Sequence, residues 1–188
     1  MGKIFLTSDL HFGHDREFLW GPRGFRSSIE HDEAIIANWN EVVSEDDDVY
    51  VLGDLMLGDS EWGSKCVRRL NGRIHLVRGN HDTDRRWFEV YPQIPNIVEF
   101  CGWATMIKYN KLHFYLSHFP TNTSNIEAES LHQTIINLFG HTHQKDKFRE
   151  DIPMYYNVAL DAHHNTPVCI DDIIEDILQE IKKCKEYL

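Results

Sequence analysis

Five short apolar runs in this chain each end in residue types able to bind metals, and that repetition constrains the fold more than any other feature. The run Ile74-His75-Leu76-Val77 passes through Arg78 and Gly79 into Asn80, His81 and Asp82. Residues 3–7 end in Ser8-Asp9-Leu10-His11, residues 49–52 in Gly53-Asp54, residues 112–116 in Ser117-His118, and residues 135–139 in Gly140-His141-Thr142-His143. A short apolar run bounded by glycine and polar residues reads as a strand. In open α/β sheets, ligands sit at the carboxyl ends of strands, which is where these polar residues fall.

The segments between the runs support that class. Ser27 and Glu30 make a capping box, opening a helix to about Val43 with Ala34, Ile35, Trp39, Val42 and Val43 as its buried stripe. Ser60 is the expected cap of a second helix, with Trp62, Cys66, Val67 and Leu70 on one side and Asn71-Gly72 closing it. Strand, helix, strand, helix, strand implies parallel strands joined by right-handed crossovers.

From about Val98 the rhythm changes. Residues 105–109, the turn Asn110-Lys111 and residues 112–116 form a hairpin, and residues 154–160 a further strand. Residues 12–26 read as an exposed loop. Residues 120–134 read as a polar stretch with a short helix, placed to form one wall of a cleft. Asp171 and Asp172 open a last helix with Ile173, Ile174, Ile177, Leu178 and Ile181 inward and lysines near its end, an order that suits the helix dipole. The expected fold is α/β, a two-sheet sandwich with helices outside, in one domain over residues 1–188.

Composition narrows the function. A length of 188 residues suits one full-sized core. No apolar stretch approaches a membrane span, and Met1 leads into a strand rather than a signal peptide, so the expectation is a soluble, cytoplasmic protein. The four cysteines, Cys66, Cys101, Cys169 and Cys184, form no Cys-x-x-Cys pair and are expected as free thiols. A formal net charge of −11 argues against long nucleic acid as a partner, because such binding rests on clustered Lys and Arg. Twelve histidines point to metal. No sequence feature bears on oligomeric state.

The candidate ligands are Asp9, His11, Asp54, Asn80, His118, His141 and His143. Singly, an Asp-x-His or His-x-His pair is more often surface or structural chemistry; five such strand ends in one chain exceed what turn chemistry requires. Asp54 is the natural bridge between two ions, since a carboxylate offers two oxygens. His81 is placed to move protons, and Asp82 to hold it in one tautomer.

In order and spacing, Asp9-x-His11, Gly53-Asp54, Gly79-Asn80-His81-Asp82, His118 and Gly140-His141-x-His143 resemble the five blocks of the calcineurin-like binuclear metallophosphoesterases. The likeness runs from Lys3 to His143, and residues 157–161 resemble the family's closing strand. The Asp-Leu-His-Phe-Gly-His opening is similar to that of compact bacterial and phage members. The resemblance implies a two-sheet sandwich flanked by helices. It implies Asp9, His11 and His143 on a first metal, Asn80, His118 and His141 on a second, Asp54 bridging, His81 catalytic and Asp82 orienting it.

Two such cations share a water, lower its pKa and hold a hydroxide in line with phosphorus. His81 would protonate the leaving alkoxide. The ligand mix suits Mn²⁺ first, with Fe, Zn²⁺ or Ni²⁺ as alternatives, better than Mg²⁺. His14 and Arg26 are the candidate substrate contacts, each weighed against the commoner solvated loop residue. For Arg23 and Arg78 a surface ion pair is the better expectation. Phe12, Trp20 and Phe119 border the ligand loops, with packing as their default role.

The expected activity is a metal-dependent phosphodiesterase, ahead of a phosphomonoesterase, on a small or nucleotide-like phosphoester. The alternatives are a non-catalytic, metal-bound interaction scaffold on the same fold, and a nuclease.

Overall fold

In the computed structural model, which describes residues 2–123, 130–149 and 152–186, all five apolar runs are strands. β1 (Ile4–Thr7) leads through α1 (Glu17–Trp20) and α2 (Ser28–Val42) to β2 (Asp48–Leu52), and α3 (Ser60–Val67) carries the chain on to β3 (Arg73–Val77). These three strands are parallel. β4 (Ile97–Gly102) adds in parallel beyond β3, after a crossover built from a wide helical turn and a tight one rather than a regular helix. β10 (Val168–Cys169) adds antiparallel beyond β1, giving the order β10-β1-β2-β3-β4.

The second sheet begins with the expected hairpin, β5 (Ala104–Tyr109) and β6 (Leu112–Ser117). β7 (Ile135–Phe139) and β9 (Ile152–Asn157) follow in parallel, and β8 (Phe148–Arg149) closes the edge, for an order β5-β6-β7-β9-β8.

Both faces of the first sheet are covered, which is why its central strands read as continuous apolar runs. Val49, Val51, Ile74 and Leu76 pack against Ile35, Trp39, Cys66 and Val67 of the helices. Leu6, Leu52 and Val77 face Leu112, Phe114, Leu116, Ile136 and Leu138 of the second sheet. Each such side chain contributes about 1.5–3 kcal/mol on full burial. α4 (Ile170–Glu186) adds Ile170, Ile173 and Ile177 to the same core. Two mixed sheets flanked by helices are therefore the observed architecture.

Several local expectations need correction. Asp59, not Ser60, caps α3: its carboxylate accepts from the backbone N–H of Glu61 and Trp62, and a negative charge suits that helix end. On α2, Ile36 is buried and Val42 is exposed, because Val43 already leaves the helix in an extended conformation and turns inward. On α4, Leu178 is exposed beside buried Ile177, since adjacent helical residues point about 100° apart. β9 stops at Asn157, whose side-chain amide ties down the carbonyls of Gln144 and Asp146, and Leu160–Ala162 form a tight turn.

Residues 12–26 are not an exposed loop either. Phe12, Leu19 and Arg23 are buried, and Arg23 donates to the Asp9 carbonyl at the end of β1. In the polar stretch 120–134 the short helix is a single tight turn, Leu131–Gln133; residues 124–129, and with them part of the suggested cleft wall, lie outside the described residues. Cys66, Cys101 and Cys169 are free thiols, and the Cys184 side chain lies outside the described set. No helix among the described residues is long and apolar enough to cross a membrane.

Candidate metal centre

The strand ends converge. Asp9 Oδ1 lies 3.7 Å from the Nε2 atoms of both His11 and His143, which are themselves 3.2 Å apart. Asp54 Oδ2 sits between this group and a second one, 3.7 Å from His11 Nε2 and 3.5 Å from His118 Nε2. His118 Nε2 in turn lies 2.8 Å from Asn80 Oδ1 and 3.2 Å from His141 Nδ1. All seven predicted ligands thus meet in one place, from the ends of β1, β2, β3, β6 and β7.

The backbone is bent to achieve this. Asp9, His11, Asp54, His141 and His143 all have positive φ, between 51° and 69°. That conformation costs an L-residue about 1–2 kcal/mol and persists where the surroundings over-determine it. Two glycines make room. A Cβ on Gly79 would lie 2.2 Å from Asp54 Oδ1, and one on Gly140 would lie 2.0 Å from Ser8 Oγ and 2.5 Å from Asp9 Oδ2.

Hydrogen bonds from behind aim the ring nitrogens. His118 Nδ1 donates to the Leu52 carbonyl at 2.8 Å, which leaves the Nε2 lone pair facing Asp54. His143 Nδ1 pairs with Asp161 Oδ2 at 3.0 Å, with the same effect on its Nε2. Asp9 Oδ2 accepts from Ser8 Oγ and the His141 N–H, whereas Asp9 Oδ1, also buried, meets no protein donor. Burial pushes the Asp54 carboxyl up to about 7, with His118 opposing and the Asp9 carboxylate adding to the rise. Burial lowers His11, and His143 and Arg23 nearby lower it further. His143 rises instead: burial works against it, but the Asp161 bond and the Asp9 charge outweigh burial.

The profile of the calcineurin-like phosphoesterase superfamily domain matches residues 3–159. The chain belongs to that superfamily. It is 31% identical over 179 residues to an uncharacterized protein of Methanocaldococcus jannaschii, covering 93% of this chain and 91% of the relative. It is 28% identical to the Gene 66 protein of Mycobacterium phage D29, over 93% of this chain and 96% of that one. Among solved structures, a protein of unknown function from Aquifex aeolicus shares the fold with a TM-score of 0.65 at 22% identity, covering 93% of this chain and 99% of its own.

As a calcineurin-like phosphoesterase the chain belongs to a metal-dependent hydrolase family, and its residues fit such ions. A buried carboxylate oxygen without a donor, flanked by two imidazole nitrogens, is an arrangement that a divalent cation satisfies and that is otherwise costly. Asp9, His11 and His143 form one group able to hold an ion, and Asp9, Asp54 and His118 another, with ligand atoms within 4.8 Å of one another in each.

The neighbouring residues of this calcineurin-like site divide sharply. The side chain of His81 is 44% exposed, with Nε2 4.0 Å from Asp54 Oδ2. Asp82 does not bond to it. Its Oδ2 accepts from the backbone N–H of Asp54 and Gly79, and its Oδ1 from the Tyr91 hydroxyl, so it braces the two strand ends instead of fixing a tautomer. A carboxylate buried at that depth is claimed by the backbone donors around it before it can reach a half-exposed ring.

His14 is buried beside His11, ring centroids 6.2 Å apart, and its Nδ1 accepts from the Arg16 N–H. Arg26 is highly exposed and forks onto Glu30 one helical turn away, so its bonds tie it to α2 rather than to the cluster. Arg78 lies against Trp103 and Trp87 and donates to the Asp82 carbonyl. Arg23, expected at the surface, is buried and forked onto Asp161. Phe12 and Trp20 pack inward to differing degrees, while Phe119 sets its ring edge-on against His118 and His141, a partly exposed apolar rim. Asp161 and Tyr91 are the polar supports that sequence reasoning passed over. Asp161 had a signal: it too follows an apolar run, Val158-Ala159-Leu160.

Proposed function

We propose that this calcineurin-like phosphoesterase is a binuclear metal-dependent phosphodiesterase acting on a small or nucleotide-like phosphoester. The observation that carries the reading is the convergence of six donor side chains about a seventh, Asp54, with the buried Asp9 oxygen turned inward and free of protein donors. In this reading Asp9, His11 and His143 would hold one ion and Asn80, His118 and His141 the other, with Asp54 shared between them. Mixed imidazole, carboxylate and amide donors favour Mn²⁺, with Fe, Zn²⁺ or Ni²⁺ as alternatives. When bound, the ions supply Lewis acidity toward the phosphoryl oxygens and a nucleophile at neutral pH.

The chain supplies the rest. His81 stands at the open side of the cluster, where its ring can reach a departing alkoxide. Burial, with His118 beside it, lowers its pKa, which makes its protonated form the stronger acid. Proton delivery of this kind contributes about 10²–10⁴-fold. Phe119 packs edge-on against His118 and His141 and offers an apolar rim beside the second group of ligands. His14 is the favoured substrate contact, since its Nδ1 is occupied and the neutral ring then carries its proton on Nε2.

The test is Mn²⁺-supported hydrolysis of an aryl phosphodiester beside its monoester, by wild type and His81→Ala. The proposal expects diester turnover to exceed monoester turnover, and the variant to bind metal while losing turnover. A variant that turns over like wild type removes His81 from the chemistry. Absence of turnover on either ester with every divalent ion favours a metal-bound scaffold, and much faster cutting of oligonucleotides favours a nuclease.

A further inference from the structure

Behind the metal cluster a buried polar chain links two of the ligand loops. Arg23, its side chain only 1% exposed, forks onto Asp161, with Nε donating to Oδ1 at 3.0 Å and Nη2 to Oδ2 at 2.7 Å. The same Nη2 donates to the backbone carbonyl of Asp9 at 2.8 Å. Its Nη1 lies 2.9 Å from His31 Nε2; a guanidinium only donates, so this His31 nitrogen accepts and Nδ1 carries the proton to Asp32 Oδ1 at 2.8 Å. Asp32 Oδ2 then receives the Gly13 N–H at 3.0 Å and the Trp62 indole at 2.7 Å.

The chain starts at His143, whose Nδ1 meets Asp161, and ends on Gly13, two residues past His11. It therefore holds Asp9 and His143 directly and the loop after His11 through Gly13, and touches none of the other group's ligands. In the other group, among the described residues, His118 is oriented by the Leu52 carbonyl alone, while the side chains of Asn80 and His141, exposed as His143 is, have their polar contacts with His118 itself.

We propose that Arg23 is a positioning residue: through Asp161 and the Asp9 carbonyl it sets His143 and Asp9, so the ion they share with His11 is bound more tightly than its neighbour. This rests on the two-ion reading above. A buried ion pair is weak evidence for stability in itself, because desolvation offsets the attraction. What Arg23 adds is geometry, since its planar fork serves three partners at once and a lysine ammonium cannot. Outer groups that orient metal-bound histidines typically govern affinity by about 10–100-fold.

The test is calorimetric titration of the full chain with Mn²⁺, for wild type, Asp161→Asn and Arg23→Lys. It is paired with melting of the metal-free proteins and electron paramagnetic resonance of the added Mn²⁺. The inference expects two sites of unequal affinity in wild type. In both variants the tighter site weakens by about 10–100-fold while the other keeps its affinity. At sub-stoichiometric Mn²⁺, where wild type fills the tighter site, the variants leave more of the ion free, and its six-line aquo signal grows. Should Arg23→Lys fail to fold, the near-isosteric Asp161→Asn carries the comparison.

Two sites weakening in step, or metal-free variants that melt early while binding both ions normally, would make the network a structural support and overturn the inference alone. A wild type that binds fewer than two ions overturns the two-ion reading and this inference with it.

Discussion

Asp82 offers the sharpest contrast between a residue that braces a site and one that acts in it. It is buried, and its carboxylate accepts two backbone N–H groups at 2.9 and 2.8 Å and the Tyr91 hydroxyl. In Asp82→Asn the amide oxygen can keep both backbone donors, and the Tyr91 hydroxyl can rotate to accept from the new amide. Only the charge assistance is lost, a cost of about 1 kcal/mol. Burial already raises the Asp82 carboxyl pKa, so a neutral group is tolerated there. Asp82→Ala instead strands all three donors, at about 1–3 kcal/mol each, for a total of about 3–9 kcal/mol. Urea unfolding of the metal-free proteins, with kcat at saturating Mn²⁺, separates the two. The expected result is an Asn variant with near-normal stability and turnover within about tenfold of wild type, and an Ala variant that is severely destabilised. An Asn variant that folds normally yet loses turnover by the 10²–10⁴-fold typical of a proton-transfer partner would refute the bracing role.

Gly140→Ala drives a Cβ to 2.0 Å from Ser8 Oγ and must turn that hydroxyl away from Asp9 Oδ2, which it now meets at 2.6 Å. Mn²⁺ affinity should fall by about tenfold or more in calorimetry, and unchanged affinity would show that Ser8 does not hold Asp9 in place. His163 donates from Nε2 to the Asn157 carbonyl, and burial, only partly opposed by that bond, lowers its pKa to about 4. The unfolded state therefore takes a proton that the folded state refuses as pH falls from about 6.5 to about 4, and stability is lost across that window. Urea midpoints of His163→Gln should decline less steeply with falling pH than those of wild type, and parallel slopes would contradict the assignment.

The ligands were legible because each follows an apolar run, and a run that must be buried also fixes where its end emerges. The same logic identified both sheets and the hairpin. Misreadings arose where neighbouring residues competed for one role. Asp59 and Ser60 can both cap a helix, and Ile177 and Leu178 cannot both face inward, yet composition alone does not rank them. The Asp161–Arg23–His31–Asp32 chain was illegible for a different reason. Arg23 lies 138 positions from Asp161 in sequence, in a segment without periodicity, and only the folded loop shows that it is buried. Asp82 misled because adjacency to His81 suggested contact, whereas its nearest donors come from Asp54, Gly79 and Tyr91.

The central claim is that seven side chains from five strand ends gather two cations about Asp54. Anomalous diffraction from crystals grown with Mn²⁺ tests it most directly. The account predicts two peaks about 3.5–4 Å apart. Asp54 should touch both, with Asp9, His11 and His143 on one and Asn80, His118 and His141 on the other. A single peak, or peaks ligated by other residues, would contradict it.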